Sequence, residues 1–193
     1  MGFCMNEPIQ LQSTEKRKTE IIDGKIYLMA SPCDEHINVQ DNINNIFNTY
    51  FKQNKRRCRA MNESDIRIDK ENRYKPDIKI LCREKRSDDI PVIVVEVLSK
   101  STQDRDLGIK MKKYAELGVR EYWIVTWEIS SVVIYLLTEE NKYEFYKSYA
   151  LFTSEEELDG LDEDEKKGII REFSPVSFPD LTIRLEDVFD IFE

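Results

Sequence analysis

Pro91-Val-Ile-Val-Val-Glu-Val-Leu-Ser99 is an apolar run containing one residue that does not belong to it. β-Branched aliphatics and a leucine surround Glu96, the pattern of a strand buried on both faces at the centre of a sheet. Strand alternation sets Val92, Val94, Glu96 and Leu98 on one face and Ile93, Val95 and Val97 on the other. A carboxylate there loses its hydration, which costs several kcal/mol unless a partner or a metal compensates. The plain explanation is a structural ion pair, or a strand end that has reached solvent. A functional site is favoured because a second carboxylate, Asp77, sits in a comparable run just upstream, Tyr74-Lys-Pro-Asp-Ile-Lys-Ile-Leu-Cys82.

Downstream, the spacing predicts a helix over 103–117, closed by Gly118 and with N-cap candidates in Ser99-Lys-Ser-Thr102. Leu107, Met111, Tyr114 and Ala115 are its expected buried stripe. Lys110 flanks that stripe, and Asp106, four residues before it, can pair with it. Taken alone, Lys110 reads as an ordinary flanking lysine with its stem on the core.

Upstream, Thr19-Glu-Ile-Ile-Asp-Gly-Lys-Ile-Tyr-Leu-Met29 carries Asp23-Gly24 between β-prone runs, the signal of a hairpin with a type I′ turn. Residues 1–13 read as irregular. A helix is expected over 34–53, with Val39, Ile43, Ile46, Phe47, Tyr50 and Phe51 on one stripe and Asp34 as N-cap. The one histidine, His36, lies in its first turn. Strands are expected at 57–62, 64–68, 75–82 and 92–98, then a hairpin pair at 121–127 and 131–137. Another strand follows at 143–149, a closing strand at 176–185 and a short helix at 186–192. The charged stretch 83–89 reads as a linker, and the acidic segment within 154–168 as a mobile insertion.

The 193 residues suit a single domain spanning 1–193. No apolar run approaches the roughly 18 residues of a membrane span, and Met1 to Ser13 lacks a signal-peptide core, so the expected location is the cytoplasm, with no membrane partner. Cys4, Cys33, Cys58 and Cys82 are scattered, and free thiols are expected. The net charge of -9 argues against a polyanion partner. Its distribution argues the other way, because residues 34–114 hold 18 Lys+Arg against 14 Asp+Glu while the remainder hold 11 against 24. The basic run Lys52, Lys55, Arg56, Arg57, Arg59 is either a solvated face or a phosphate contact.

The ordered set Pro76-Asp77, Glu96-Val-Leu-Ser99, Ser101-Thr102, Asp106-x-x-x-Lys110-x-x-x-Tyr114 and Gly118-Val-Arg-Glu-Tyr-Trp123 resembles the PD-(D/E)XK nuclease superfamily. It is most similar to the Uma-type branch of restriction-endonuclease-like proteins. The Asp23-Gly24 hairpin, His36 and Phe178-Pro-Asp-Leu181 also resemble that branch, so the likeness covers roughly residues 13–190. It implies an α/β fold: a restriction-endonuclease-like mixed β-sheet flanked by helices, with an N-terminal β-hairpin. One departure from the superfamily stands out. Two positions after the glutamate the usual lysine is absent and Leu98 is present. The resemblance implies that Lys110 supplies it from the helix, about two turns in and roughly 10 Å along the axis.

By that resemblance, Asp77, Glu96 and Lys110 are catalytic and His36 and Asp106 support them. Asp77, Glu96 and the backbone carbonyl of Val97 would hold Mg²⁺, with Mn²⁺ as a substitute, since hard oxygen ligands suit both. The expected activity is metal-dependent endonucleolytic hydrolysis of DNA phosphodiesters. Glu35, His36 and Glu63 are candidates for a second metal or for placing water. Two other readings stand beside it: a nuclease-fold module that binds nucleic acid or protein without cleaving, and a structural Lys110–Glu96 pair in a protein of unrelated function. DNA against RNA, the target, and the oligomeric state, a homodimer included, stay open.

Overall fold

The computed structural model describes residues 19–29, 31–83, 90–99, 103–152, 158–167 and 169–190. Its strands are β1 (Thr19–Ile22), β2 (Lys25–Leu28), β3 (Cys58–Asn62), β4 (Ile66–Arg67), β5 (Arg73–Tyr74), β6 (Ile78–Cys82), β7 (Ile93–Val97), β8 (Glu121–Thr126), β9 (Ser131–Leu137), β10 (Tyr143–Ala150), β11 (Glu172–Phe173) and β12 (Ile183–Arg184). Helix α1 covers Asp34–Gln53. Helix α2 (Gln103–Arg105) runs through a π-helical turn, Asp106–Lys110, into α3 (Met111–Leu117).

Six strands form a mixed sheet in the order β10-β9-β8-β7-β6-β3. Strands β7 and β8 pair in parallel and the other neighbours are antiparallel. A parallel pair requires a crossover, and the helical rod 103–117 is that crossover. Strand β7 is buried along its whole length, as its apolar run demands. A smaller sheet, β2-β1-β5-β4, is built around the Asp23-Gly24 hairpin. Both turn residues have positive φ, 48° and 73°, which is the type I′ signature.

Alternation along β7 sorts the interior into two cores. Ile93, Val95 and Val97 face α1, where Val39, Ile43 and Phe47 meet Trp123, Phe178 and Leu181. Val94 faces the other way, toward Tyr114, Tyr122 and Ile124, with Ile22, Ile66 and Tyr74 from the small sheet. Glu96 shares the parity of Val94 and lies in this second layer. The edge strand β3 is protected by α1, since Asn48 accepts from the Ala60 N–H at 3.1 Å and donates to the Ala60 carbonyl at 3.0 Å.

Several expectations shift. The strand expected at 75–82 shortens to β6, set off from β5 by Lys75-Pro76-Asp77, because Pro76 has no N–H for a ladder. The cap of α1 is Cys33 rather than Asp34. The stripe of the crossover helix is displaced: Leu107 is exposed, whereas Asp106 and Lys110 are buried with Tyr114 and Ala115. The π turn accommodates one extra residue and turns the ion-pairing residues, not Leu107, toward the sheet. The strand expected over 176–185 reduces to β12, paired with β11. The acidic segment includes a short helix, Glu163–Lys167. Residues 1–13, the Ser101-Thr102 caps, the linker positions 84–89, residues 153–157 and 168 of the insertion, and positions 191–192 of the expected closing helix lie outside the described residues, while a helix is present at Leu185–Val188.

The free-thiol expectation is corrected. Cys58 and Cys82 are disulfide-bonded, being directly opposite on β3 and β6 with Cα atoms 4.0 Å apart. Their sequence separation of 24 hides a pairing that only the strand register creates. Cys33 is free and exposed. The described residues include no helix long and apolar enough to cross a membrane. Closing a loop of this length restricts the unfolded chain by roughly 3 kcal/mol, on the order of 5–10 °C in Tm for a chain of this size. Cys58 and Cys82 should therefore resist alkylation until a reductant is added, and Tm should fall by that amount on reduction; alkylation of both without reductant, followed by peptide mass spectrometry, would contradict the pairing.

Candidate active site

The β6–β7 register pairs Ile78 with Val95. One step further along the same register, Asp77 falls opposite Glu96, which is how two carboxylates distant in sequence meet at one strand end. Asp77 is fixed from two sides. Its Oδ2 accepts the Val97 N–H at 2.7 Å, and its Oδ1 lies 3.1 Å from His36 Nε2 on the first turn of α1. Its backbone carbonyl accepts Gln40 Nε2 at 2.6 Å and the Glu63 N–H at 3.0 Å. Burial works against a charge on His36, but the Asp77 hydrogen bond, with the charges of Asp77, Glu63 and Asp106, outweighs it and raises the imidazole pKa.

Glu96 is buried beside Lys110, whose side chain is only 2 % exposed. Lys110 Nζ lies 2.9 Å from Glu96 Oε1, 2.9 Å from Asp106 Oδ1 and 3.0 Å from Glu20 Oε1. An ammonium has three protons, and here three carboxylate oxygens surround it. Tyr114 OH also donates to Glu96 Oε1, at 3.2 Å. Asp106 is held in turn through its carbonyl, which accepts Tyr122 OH at 2.8 Å. The lysine pKa rises well above its ordinary value: burial opposes the charge, and Glu96, Asp106 and Glu20 more than offset it.

The carboxylates outnumber the cations. Glu20, Asp77, Glu96 and Asp106 are all buried, against Lys110 and His36. Burial first, then the charges of Asp106, Asp77 and Glu20, pushes the Glu96 carboxyl well above the usual range despite Lys110. That is an environment short of positive charge, and a divalent cation would relieve it. The donors are hard oxygens, which fits Mg²⁺ or Mn²⁺. Among the described residues, no group of three or more His, Cys, Asp and Glu side chains is arranged to hold a metal. An ion held by Asp77 and Glu96 would thus have waters for most of its remaining ligands.

Of the residues picked out in the sequence, Asp77, Glu96, Lys110, Asp106 and His36 converge here, and Val97 adjoins them at the strand end. Glu35 does not join them: hydrogen bonds from its own backbone N–H and Cys33, at the start of α1, lower its pKa. Glu20 was not foreseen. It lies on β1 between half-buried Thr19 and Ile21, on the buried face of the strand with Ile22, and the clue available was an acidic residue at an inward position of the hairpin. The basic run divides as well. Arg56 pairs with Asp180 at 2.8 Å and lies over Tyr50 and Phe178, a structural anchor. Arg57 and Arg59, with Arg83, line a cleft of about 240 Å³ beside β3. Register pairs Arg59 with Leu81, four residues along β6 from Asp77 and roughly 14 Å away.

Comparison with known proteins bears on the fold and the family. A crystal structure of a "putative nuclease" of the DUF820 group from Anabaena variabilis superposes with a TM-score of 0.65 over 89% of both chains, at 17% identity, and so shares the fold. An uncharacterized protein of Synechocystis sp. is 31% identical over 117 residues, which is 56% of this chain and 60% of that protein's length. Residues 6–164 match the Uma2 family, whose description is "Putative restriction endonuclease". That match spans most of the sequence, and the chain belongs to the Uma2 family.

Proposed function

We propose that the protein is a metal-dependent endonuclease acting on DNA phosphodiester bonds. The observation that carries this reading is the buried cluster at the end of β7, where Asp77 and Glu96 oppose each other and Lys110 stands 2.9 Å from Glu96. Asp77, Glu96 and the Val97 carbonyl would hold Mg²⁺ or Mn²⁺. When bound, such an ion polarises a phosphoryl oxygen and lowers the pKa of a water. The chain's own residues do the rest. The Val97 N–H and His36 keep Asp77 from rotating, so its oxygens stay aimed at the strand end. Lys110 stays protonated and supplies fixed positive charge where the phosphorane-like transition state gains negative charge. The second core, with Tyr114 and Tyr122 fully buried, keeps water from the far side of the lysine. Arg59 and Lys79 share the sheet face of Glu96 by register, so a duplex over the site would pass them.

Three measurements test the reading, each on the full chain. Mg²⁺ or Mn²⁺ at a hundredfold excess over Kd should stabilise the fold by about 2.7 kcal/mol, on the order of 5–10 °C in Tm, and Asp77→Asn should abolish the rise. A melting curve unmoved by millimolar metal would sink the metal site.

Lys110→Met should cut plasmid cleavage by about 10² to 10³. It also leaves three buried carboxylates without their ammonium, a loss of about 3–5 kcal/mol. Added metal should then raise the Tm of this variant more than that of wild type. Cleavage at the wild-type rate by Lys110→Met would refute the lysine's role.

Binding of a DNA duplex should weaken steeply with salt, and Arg59→Ala should lower the slope of log K against log salt by about 1. Affinity that ignores salt would count against a phosphate-tracking surface.

A further inference from the structure

The three carboxylates around Lys110 are not equivalent. Asp106 is on the lysine's own helix, four residues earlier, and moves with it. Glu96 is shared, because in the nuclease reading the same carboxylate also holds the cation. Glu20 is different. It reaches the ammonium from a separate sheet, is 1% exposed, and has no place in the proposed metal site. It is itself anchored: Oε1 also accepts the Lys75 N–H at 3.0 Å, and Oε2 lies 3.9 Å from Arg105 NH1. The other inward position of β1, Ile22, belongs to the second core with Tyr74 and Tyr114, so Glu20 is the charged exception on that face.

We infer that Glu20 is a positioning residue that holds the Lys110 ammonium in place independently of Glu96. The inference rests on the nuclease reading for its consequence and on the geometry of β1 for its substance. When Glu96 turns its charge toward a cation, the lysine loses part of one partner and is repelled by the ion. Glu20 and Asp106, from two different elements, then keep it from withdrawing. The N-terminal hairpin thereby becomes part of the active site, through one side chain.

Two readouts test this. The first needs no activity: acylation of lysines in the folded protein by an N-hydroxysuccinimide ester, followed by peptide mass spectrometry. Lys110 should be protected in wild type and labelled at least tenfold faster in Glu20→Gln, with labelling of exposed Lys112 unchanged. The second is kinetic. Glu20→Gln should lower kcat about 10- to 100-fold with KM and the metal-induced Tm rise unchanged, and Glu20→Asp should recover part of the loss. Wild-type labelling and wild-type kcat in Glu20→Gln would overturn the inference, as would equal losses in kcat and in metal response, which would make Glu20 a ligand. If Glu20→Gln does not fold, Glu20→Asp carries the test, because withdrawing the carboxylate by one methylene must move both labelling and kcat. If wild type cleaves no DNA with metal present, the nuclease reading fails, and the labelling alone decides whether Glu20 holds Lys110.

Discussion

One buried ammonium sets the terms for much of this fold. Lys110 draws its carboxylates from β1, β7 and its own helix. Each of those groups would be costly in isolation, because a buried charge stripped of its partner destabilises by about 3–5 kcal/mol. The cluster is tolerable only as a whole, so the hairpin, the central strand and the crossover helix are tied to one mutual arrangement. The π turn at Asp106–Lys110 belongs to the same constraint. A rare helical geometry persists where something overrides ordinary packing, and here it buries an Asp and a Lys while leaving Leu107 exposed.

The cluster holds more buried carboxylates than buried cations, unlike a one-to-one ion pair. A structural pair is satisfied when each charge has its opposite. Here the raised Glu96 pKa reflects burial and neighbouring carboxylates that one lysine does not balance. Contrast Glu121, equally buried at the start of β8: its carboxylate accepts Trp123 Nε1 at 3.0 Å and the Ser177 N–H. Both donors are neutral, and the Ser177 N–H ties the C-terminal segment to the sheet. Two buried glutamates in one sheet thus have different surroundings, neutral donors around one and an ammonium with further carboxylates around the other.

The readable parts of the sequence were those that local pattern controls. Glu96 stood out because a charge in an apolar strand has no local explanation, and the type I′ turn and the bounds of α1 followed from Asp-Gly and from helical spacing. What escaped was set by register and by elements far apart in the chain. Cys58 and Cys82 face each other only because β3 and β6 pair in one register. Glu20 looks like a polar residue of an ordinary hairpin until β1 is laid against the crossover helix. The stripe of that helix was misassigned for a third reason: periodicity counts in steps of an α-helix, and the π turn breaks the count at the two residues that matter.

The place of the lysine follows from the same geometry. Leu98, two residues after Glu96, sits where the superfamily pattern has its lysine. It packs partly buried against the second core, while its N–H donates to the Val125 carbonyl at 2.8 Å. That position keeps the strand end apolar and paired. A lysine on the strand would be oriented by the strand alone. A lysine on the crossover helix approaches Glu96 from above the sheet, and its orientation depends on contacts from outside its own element. Such a lysine needs an external brace. The hairpin glutamate is placed to provide one, which accounts for a buried acidic residue in a strand whose other inward position is filled by isoleucine.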